Sequence, residues 1–457
     1  MDKREVKTSI DLDAIRLLCG EYQKHNYIDP ALYDKFDIKR GLRNQDGTGV
    51  IAGATKICNV HGYLINEGEK EPVEGELSYR GINVQDIVDN CNREGRFGFE
   101  ETVYLLLFGE LPTQAQLEAF QKVMNECREL PDSFFEDMIL KAPSANIMNK
   151  LGRSVLALYS YDDEAEDSRL EVEIRKSLQL ISRLSNIMVK AYQVKNSHFN
   201  GGSLILHPLI YGQSIAESIL SLLRPDRAFT KEEALLLDTC MMLHAEHGGG
   251  NNSTFTCRVL TSSGTDAYAA YAGAIGSLKG PRHGGANIKT VHMLEQIKAG
   301  VKNWNSRDEI ADFLRKIVNR EAGDGSGLIY GMGHAVYTKS DPRARILKKN
   351  AMQLAKGTEF EADFEILQAV EELTPQIFAE MKGSTKVICA NVDLYSGLVY
   401  KMLGIPEDLF TPIFACSRMA GWSAHRIEEM CTGKRIIRPA YKAVVKKRPY
   451  VLLSERG

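Results

Sequence analysis

The sequence predicts a mostly α-helical protein with one small β-hairpin region near its N-terminus. Apolar residues recur three to four positions apart through most of the chain, which is the spacing of helices that bury one face. β-branched residues, glycines and an Asn-Glu-Gly turn are concentrated in residues 50–80, around "GVIAGATKICNVHGYLINEG". These two observations place the chain in the all-α class.

The composition is that of an ordinary globular protein. The chain has 457 residues, enough for two or three domains, and a formal net charge of -3, which argues against nucleic acid as the main partner. No apolar run approaches the roughly 18 residues that span a membrane, and no signal peptide is evident. The nine cysteines are scattered singly without a C-x-x-C pair, so we expect reduced thiols in the cytoplasm.

Capping sequences mark two helix starts. A helix is predicted after Pro112-Thr113, and Thr230-Lys-Glu-Glu233 is a capping box that leads into "ALLLDTCMMLHAEH". Periodicity predicts further helices at roughly residues 144–160, 166–195, 205–223, 265–279, 287–299, 307–320, 341–356, 359–380, 393–403 and 411–429.

The stretch "LHAEHGGGNNST", residues 243–254, is the first candidate site. If the preceding helix runs on, His244 and His247 lie on one face, with Gly248 as the residue that ends the helix. The helix dipole would favour a charged histidine there, able to hold an anion. A histidine that bonds only helix carbonyls is the alternative. His244-Ala-Glu246 has part of a zinc deaminase pattern, but the cysteine pair is missing.

The second candidate is "GPRHGGAN", residues 280–287. Glycines around His283 remove side-chain bulk, so a ligand can closely approach the imidazole. A position near a helix N-terminus lowers the pKa of an imidazole, which suits it to donate a hydrogen bond to a forming enolate. A surface turn is the competing interpretation.

The third candidate is "GLIYGMGHAVYTKSDPRARI", residues 327–346. Gly331 and Gly333 precede His334, and Lys339 and Arg343 follow. The third glycine and the preceding strand of a dinucleotide-binding fingerprint are missing. The loop suits a polyanion, or it is simply a solvated basic loop.

Three further residues carry suitable chemistry. Asp393 in "NVDLYSG" lies between apolar neighbours, and a buried carboxylate has a raised pKa and can act as a general base. An N-cap aspartate is the alternative. Arg418 in "ACSRMAGW" and Arg438 in "KRIIRPAYK" have the planar fork that binds carboxylates bidentately.

In this order, the segments resemble the active-site blocks of the citrate synthase family. The resemblance covers about residues 40–440 and includes "GVIAGATKI…GELSYRG" as the N-terminal hairpin. It implies a mostly helical homodimer with a large and a small domain and the active site in the cleft between them. We expect residues 1–285 and 401–457 in the large domain and residues 286–400 in the small one.

The resemblance implies an acyltransferase that condenses acetyl-CoA with oxaloacetate to give citrate and CoA. Asp393 resembles the base that removes a proton from the thioester methyl group. His283 resembles the donor to the thioester oxygen, and His334 the donor to the oxaloacetate ketone. These assignments agree with the chemistry, because a carboxylate cannot ionise so weak a carbon acid unless the oxygen is stabilised together with it.

The remaining roles concern substrate binding. His247, Arg343 and Arg418 resemble the groups that hold the oxaloacetate carboxylates, and Arg438 the arginine that the partner subunit supplies. CoA is expected over the backbone at Gly331 and Gly333, with its phosphates near Lys386, Lys339 and Arg43. The resemblance implies no metal and no tightly bound cofactor, only acetyl-CoA as co-substrate.

Three other functions compete with this one. A 2-methylcitrate synthase would use propionyl-CoA with the same residues, and one methyl group discriminates by only about 1–3 kcal/mol. A catalytically idle helical dimer and a zinc hydrolase built on His244 and His247 are more distant. Gly248, Arg282 and Ala390 depart from the commoner family pattern without removing a catalytic group.

Overall fold

The computed structural model describes residues 12–44, 46–67, 69–383 and 387–456. The chain divides into two compact units, one formed by residues 1–52 with 438–457 and the other by residues 53–437. The predicted large and small domains fall mainly within the second unit, and their boundaries stay a prediction.

The first unit holds helices α1 (Leu12–His25) and α2 (Ala31–Lys35). The second unit holds strands β1 (Cys58–Asn66), β2 (Glu69–Tyr79) and β3 (Ile82–Asn83), followed by helices α3 (Val84–Glu94), α4 (Phe99–Phe108), α5 (Gln114–Glu126), α6 (Ile147–Leu158), α7 (Leu170–Asn200), α8 (Ile215–Leu223), α9 (Lys231–His244), α10 (Asn252–Ser262), α11 (Ala267–Lys279), α12 (Ala286–Gly300), α13 (Arg307–Val318), α14 (Pro342–Ala355), α15 (Glu361–Lys382), α16 (Asp393–Met402) and α17 (Phe410–Thr432). No described helix combines the length and the apolar character needed to cross a membrane.

The predicted helices are confirmed, and two of them are shorter than predicted: the helix over 205–223, and α9, whose end is described with the active site. Thr113 and Thr230 each form a capping box at the start of α5 and α9. The helix predicted over 205–223 begins only at Ile215, because Ser214 and Glu217 form a capping box there. The segment before Ser214 contains Pro208 and is not helical.

The predicted hairpin is confirmed as part of a three-stranded antiparallel sheet in the order β1-β2-β3. Cys58 pairs with Tyr79 at one end of the hairpin and Asn66 with Glu69 at the other. The register shifts between His61 and Tyr63. Such an irregularity bends a strand, and the hairpin here is packed against another loop.

Helix α17 is the central element of the second unit. It packs against α4, α7, α9, α10 and α11, and almost every side chain from Phe410 to Arg426 is buried, including Trp422. A helix buried on all sides must satisfy any polar side chain inside the protein. The arginine and histidine side chains of α17 are therefore held by specific partners or left for a ligand.

Two glycines let the hairpin approach the segment that precedes α14. The amide of Gly75 donates to Ser340 Oγ at 3.1 Å, and Thr338 Oγ1 donates to the carbonyl of Gly62 at 3.3 Å. A Cβ on Gly75 would lie 2.0 Å from the Ser340 carbonyl oxygen. The hairpin therefore supports the loop that leads from His334 to Arg343.

We expect Gly75→Ala to lower the free energy of unfolding by about 1–3 kcal/mol, because the added methyl group meets a backbone carbonyl that cannot rotate away. Thermal unfolding followed by calorimetry measures the effect. Gly53→Ala is the control, since nothing lies within 4 Å of its Cβ position. Equal midpoints for the two variants would contradict the close packing of the hairpin.

Candidate active site

Helix α9 ends three residues before His247. The Tyr79 hydroxyl of the hairpin lies at this helix end. It is 3.0 Å from the carbonyl oxygen of Met242 and 3.1 Å from the carbonyl oxygen of Glu246. Gly248 then takes a φ of 89°, in the left-handed region. The prediction that the helix runs on to His247 is therefore wrong, because a tertiary hydrogen bond from the hairpin ends it earlier.

His244 and His247 are both buried, and both have a pKa well below the ordinary value. Burial is the main cause, and the nearby Arg343 and Arg418 lower both values further. The prediction of a charged histidine at this helix end is wrong, because desolvation outweighs the helix dipole. His247 is neutral, and its Nε2 is buried without a hydrogen-bond partner.

His244 differs from His247 in its surroundings. Its ring stacks on Phe414 with centroids 4.2 Å apart, and neither ring nitrogen has a hydrogen-bond partner. It behaves as an aromatic core residue in this packing, whereas His247 lies against His334 and Tyr337, at centroid distances of 5.0 and 5.5 Å.

The glycine loop before His334 is joined to the segment before Asp393. Met332 and Ala390 form an antiparallel bridge. The amide of Asn391 donates to the Gly331 carbonyl, and its side-chain Nδ2 donates to the Gly333 carbonyl, each at 2.8 Å. One asparagine thus occupies both glycine carbonyls and links the two predicted catalytic segments.

Gly331 has a structural reason to be glycine. Its φ is 80°, and a Cβ would lie 2.7 Å from Leu394 Cα on the first turn of α16. The close approach brings the backbone of the loop directly onto the start of this helix. The CoA-binding role predicted for Gly331 and Gly333 stays a prediction.

The tautomer of His334 follows from its neighbours. The amides of Val336 and Tyr337 both donate to His334 Nδ1, at 3.0 and 3.1 Å. Because Nδ1 is an acceptor, a neutral ring must carry its proton on Nε2. The His334 ring stacks on Tyr337 at 4.7 Å, which holds its plane. His334 is therefore built to donate from Nε2.

Asp393 is the first residue of α16, and burial raises its pKa to about 6. Arg343 and Arg418 oppose the increase, whereas Asp341 adds to it. Asn391 Oδ1 accepts from the Asp393 amide at 2.9 Å, which orients the residue. The expected raised pKa is confirmed, and a carboxylate with this pKa is a proton acceptor at neutral pH.

His283 lies in the loop between α11 and α12. Its Nε2 is 3.2 Å from Ser253 Oγ, which also accepts from Trp422 Nε1 at 3.2 Å and donates to Asn251 Oδ1 at 2.9 Å. Burial lowers the pKa of His283 to about 4, and Arg418 lowers it further. The predicted direction is confirmed, although burial is the main cause instead of a helix N-terminus.

Ser253 is a site residue that the sequence analysis missed. It follows the glycines of "HGGGNNST" at the start of α10, and its distance from His283 along the chain hides their contact. A hydroxyl at such a helix start resembles an ordinary cap, so the sequence carries no separate signal for it.

The two buried arginines are held differently. Arg343 forms a bidentate pair with Asp341, at 3.0 Å from Nε and 2.7 Å from Nη2. Arg418 donates from Nε to the His244 carbonyl at 2.6 Å, whereas its Nη1 and Nη2 are buried without a partner. A buried guanidinium with two open donors is suited to a planar carboxylate.

Not every predicted site residue lies in this cluster. The structure brings together His247, His283, His334, Arg343, Arg418 and Asp393, all within the second unit. Lys339 is exposed, and Arg43 and Arg438 belong to the first unit. Lys386 lies outside the described residues. The roles of these four residues stay predictions.

The geometry does not favour the zinc hydrolase. In the part of the chain that the structure describes, no group of three or more histidine, cysteine or carboxylate side chains is placed to hold a metal ion. Glu246, which follows His244 in the partial deaminase pattern, instead lies 3.0 Å from His425 Nε2.

Comparison with known proteins agrees with these observations. A family model described as citrate synthase, C-terminal domain, matches residues 44–440. This chain belongs to the citrate synthase family. It is 33% identical over 396 residues to a citrate synthase from a Synechocystis species, which covers 86% of this chain and 88% of the relative.

Two further family members are similar to it. A 2-methylcitrate synthase from Shewanella oneidensis is 33% identical over 371 residues, covering 80% of this chain and 87% of the relative. The solved citrate synthase from Thermoplasma acidophilum is a ternary complex with carboxymethyl coenzyme A and oxaloacetate. It has a TM-score of 0.73 at 28% identity, and the match covers 92% of this chain and 99% of that one. The chain is thus an acyltransferase with the predicted citrate synthase-like helical fold.

Because ionised Asp393 is disfavoured by burial, we expect Asp393→Asn to raise the stability of the folded protein at pH 8 by about 2–3 kcal/mol. The folded-state pKa of about 6 lies above the ordinary value. The free-energy cost of burying the ionised carboxylate is therefore fully present above pH 6 and shrinks as the pH falls below 6. Thermal midpoints at pH 8 and pH 5 measure the difference. The exposed Asp132→Asn is the control, and an equal gain at both pH values would contradict the raised pKa.

Proposed function

We propose that this enzyme condenses acetyl-CoA with oxaloacetate and water to citrate and CoA through an enol intermediate. The observation that carries the proposal is the pairing of a proton acceptor, Asp393, with a neutral imidazole, His283, beside the open guanidinium of Arg418. A carbon acid as weak as a thioester methyl group needs all three kinds of group: a base, a donor to the oxygen and a positive charge that binds the second substrate.

Enol formation would use Asp393 and His283 together. With a pKa of about 6, Asp393 is mostly ionised at neutral pH and can take the methyl proton. His283, with a pKa of about 4, is neutral and would share its N–H proton with the thioester oxygen as Asp393 takes the methyl proton, so the enol intermediate carries a proton held between its oxygen and the imidazole. Because Ser253 Oγ lies at Nε2, the proton offered to the thioester must be on Nδ1. The Ser253 hydroxyl would then turn from Asn251 and donate to Nε2, which holds the ring in place.

Oxaloacetate would be held on the other side of the site. His334 would donate from Nε2 to the ketone oxygen and stabilise the alkoxide that forms as the enol carbon attacks. Arg418 would bind one carboxylate through its two open nitrogens, with Arg343 and the Nε2 of His247 completing the binding site. The thioester of the citryl intermediate would then be hydrolysed to release CoA.

The relatives support this substrate pair. Proteins named citrate synthase match most of the chain at about one-third identity, and the Thermoplasma acidophilum structure holds a CoA derivative with oxaloacetate. The 2-methylcitrate synthases among the relatives support propionyl-CoA as the second candidate acyl donor.

The finer parts of the assignment follow from the same family resemblance. We infer a cytoplasmic homodimer in which Arg438 of each subunit reaches the partner's oxaloacetate site. Lys386, Lys339 and Arg43 would contact the CoA phosphates, and no tightly bound cofactor or metal would take part. Small-molecule substrates, and neither nucleic acid nor a membrane, would be the partners.

We expect the purified protein to release CoA only when oxaloacetate is present, with a larger kcat/KM for acetyl-CoA than for propionyl-CoA. The free thiol can be followed directly with both acyl donors, because CoA is the common product. A preference for propionyl-CoA would move the assignment to 2-methylcitrate synthase. Absence of release with either donor would favour the idle dimer.

Asp393→Ala and His283→Ala are the matched controls for this assay. Each removes one of the two groups that enolisation needs, so condensation should be abolished while folding and oxaloacetate binding remain. Calorimetric titration with oxaloacetate checks the binding. A variant that retains condensation would remove that residue from the mechanism.

The role of Arg438 can be tested by mixing inactive subunits. If Arg438 acts in the partner's site, a heterodimer of Arg438→Ala and Asp393→Ala subunits contains one complete site. Refolding or co-expressing the two variants together should therefore restore activity that neither homodimer has. No recovery in a verified heterodimer would show that Arg438 acts within its own subunit or not at all.

A further inference from the structure

A series of hydrogen-bonded, buried polar side chains lies next to His247 and takes no part in the proposed chemistry. Arg258 of α10 contacts Nδ1 of His425, at 3.0 Å from Nε and 2.6 Å from Nη2. His425 Nε2 lies 3.0 Å from Glu246 Oε1. That same oxygen accepts from the amide of Gly248, the residue that follows His247.

The direction of the hydrogen bonds along this series is determined by chemistry. A guanidinium can only donate, so His425 Nδ1 must be an acceptor and its ring proton lies on Nε2. His425 therefore donates to Glu246. Arg258 is itself held by ion pairs with Glu428 and Glu429, one turn further along α17. This series of hydrogen bonds therefore starts at Arg258, which is held in place, and ends at the amide of Gly248 beside His247.

Glu246 has no room to move. Its side chain is fully buried, and a Cβ on Gly421 would lie 2.0 Å from Glu246 Oε2. Burial alone would raise the pKa of Glu246, but the hydrogen bond from His425, the nearby Arg418 and the Gly248 amide keep it below the ordinary value. Glu246 is thus a buried carboxylate near the guanidinium of Arg418, whose two terminal nitrogens have no hydrogen-bond partner.

We propose that Glu246 and His425 are positioning residues for oxaloacetate binding, which hold the backbone on both sides of His247 and the charge of Arg418 in place. The inference rests on the proposed function, because it takes oxaloacetate as the ligand of His247 and Arg418. Neither residue would touch the substrate. Their effect reaches it through the Gly248 amide and through the packing of Gly421 on Glu246.

The protein contains a matched buried pair that has no such link to the site. Arg426, the residue after His425, donates from Nε to Glu173 Oε2 at 2.9 Å, and both side chains are almost fully buried. Its other contacts go to Thr261 and Thr265. Breaking this pair should destabilise the fold without changing substrate affinity.

The experiment compares His425→Phe with His425→Gln in the full-length protein. Phenylalanine keeps an aromatic ring, slightly larger than imidazole, and removes both nitrogens, whereas the glutamine amide can reproduce the donor to Glu246. Glu246→Gln keeps an acceptor oxygen but removes the charge beside Arg418, and it serves as the second variant if His425→Phe does not fold. Glu173→Gln is the control.

We expect His425→Phe to raise both the calorimetric Kd and the KM for oxaloacetate by about tenfold or more. The KM for acetyl-CoA should stay unchanged. Glu246→Gln should shift the oxaloacetate values in the same direction. His425→Gln should stay near the wild type. Glu173→Gln should lower the thermal midpoint and leave both KM values unchanged.

Two results would overturn the inference. If His425→Phe and Glu246→Gln lower only the thermal midpoint, as is expected for Glu173→Gln, the hydrogen bonds of His425 and Glu246 have only a structural role. If both substrates lose affinity equally, the effect is not directed at oxaloacetate. A wild-type protein that binds no oxaloacetate would instead overturn the proposed function, and this inference with it.

Discussion

Arg418 places a guanidinium with two open nitrogens inside the protein, and the neighbouring site residues are arranged around that charge. Its Nε is held by the His244 carbonyl at the end of α9. Buried donors without hydrogen-bond partners are costly, so a site with these two open nitrogens is completed when an anionic substrate enters it. The same charge lowers the pKa values of His247 and His283 and opposes the increase at Asp393. Binding of the anion and the protonation states needed for the chemistry thus have a common origin.

Close backbone contacts bring the catalytic segments together. Gly331 lets its loop approach α16, and Asn391 binds the carbonyls of that loop while its side chain accepts from the amide of Asp393. Further along the same loop, Gly75 of the hairpin packs against Ser340. His334 and Asp393 are therefore held by rigid junctions, which is the arrangement that keeps catalytic geometry within narrow limits.

Much of this could be predicted from the sequence, and the errors have one physical cause. Helix boundaries such as the start of α9 followed from local capping boxes, and the raised pKa of Asp393 followed from its apolar neighbours. The lowered pKa of His283 was predicted from a helix N-terminus, and its direction is right although burial is the main cause. The end of α9 and the protonation of His247 were predicted wrongly because they depend on Tyr79 and on burial. Ser253 was missed because its contact with His283 joins segments that are distant in the chain.

By itself the sequence determined the helical class, the hairpin and the identity of the reactive side chains, because periodicity, capping and residue chemistry are local properties. Only the tertiary structure decided which nitrogen of His334 carries the proton, which arginine is left open and which carboxylate lies behind His247. These features depend on the partners that each group meets after folding: Arg343 meets Asp341, whereas the terminal nitrogens of Arg418 meet none. A polar group's partners are set by packing between distant segments, and no local pattern encodes them.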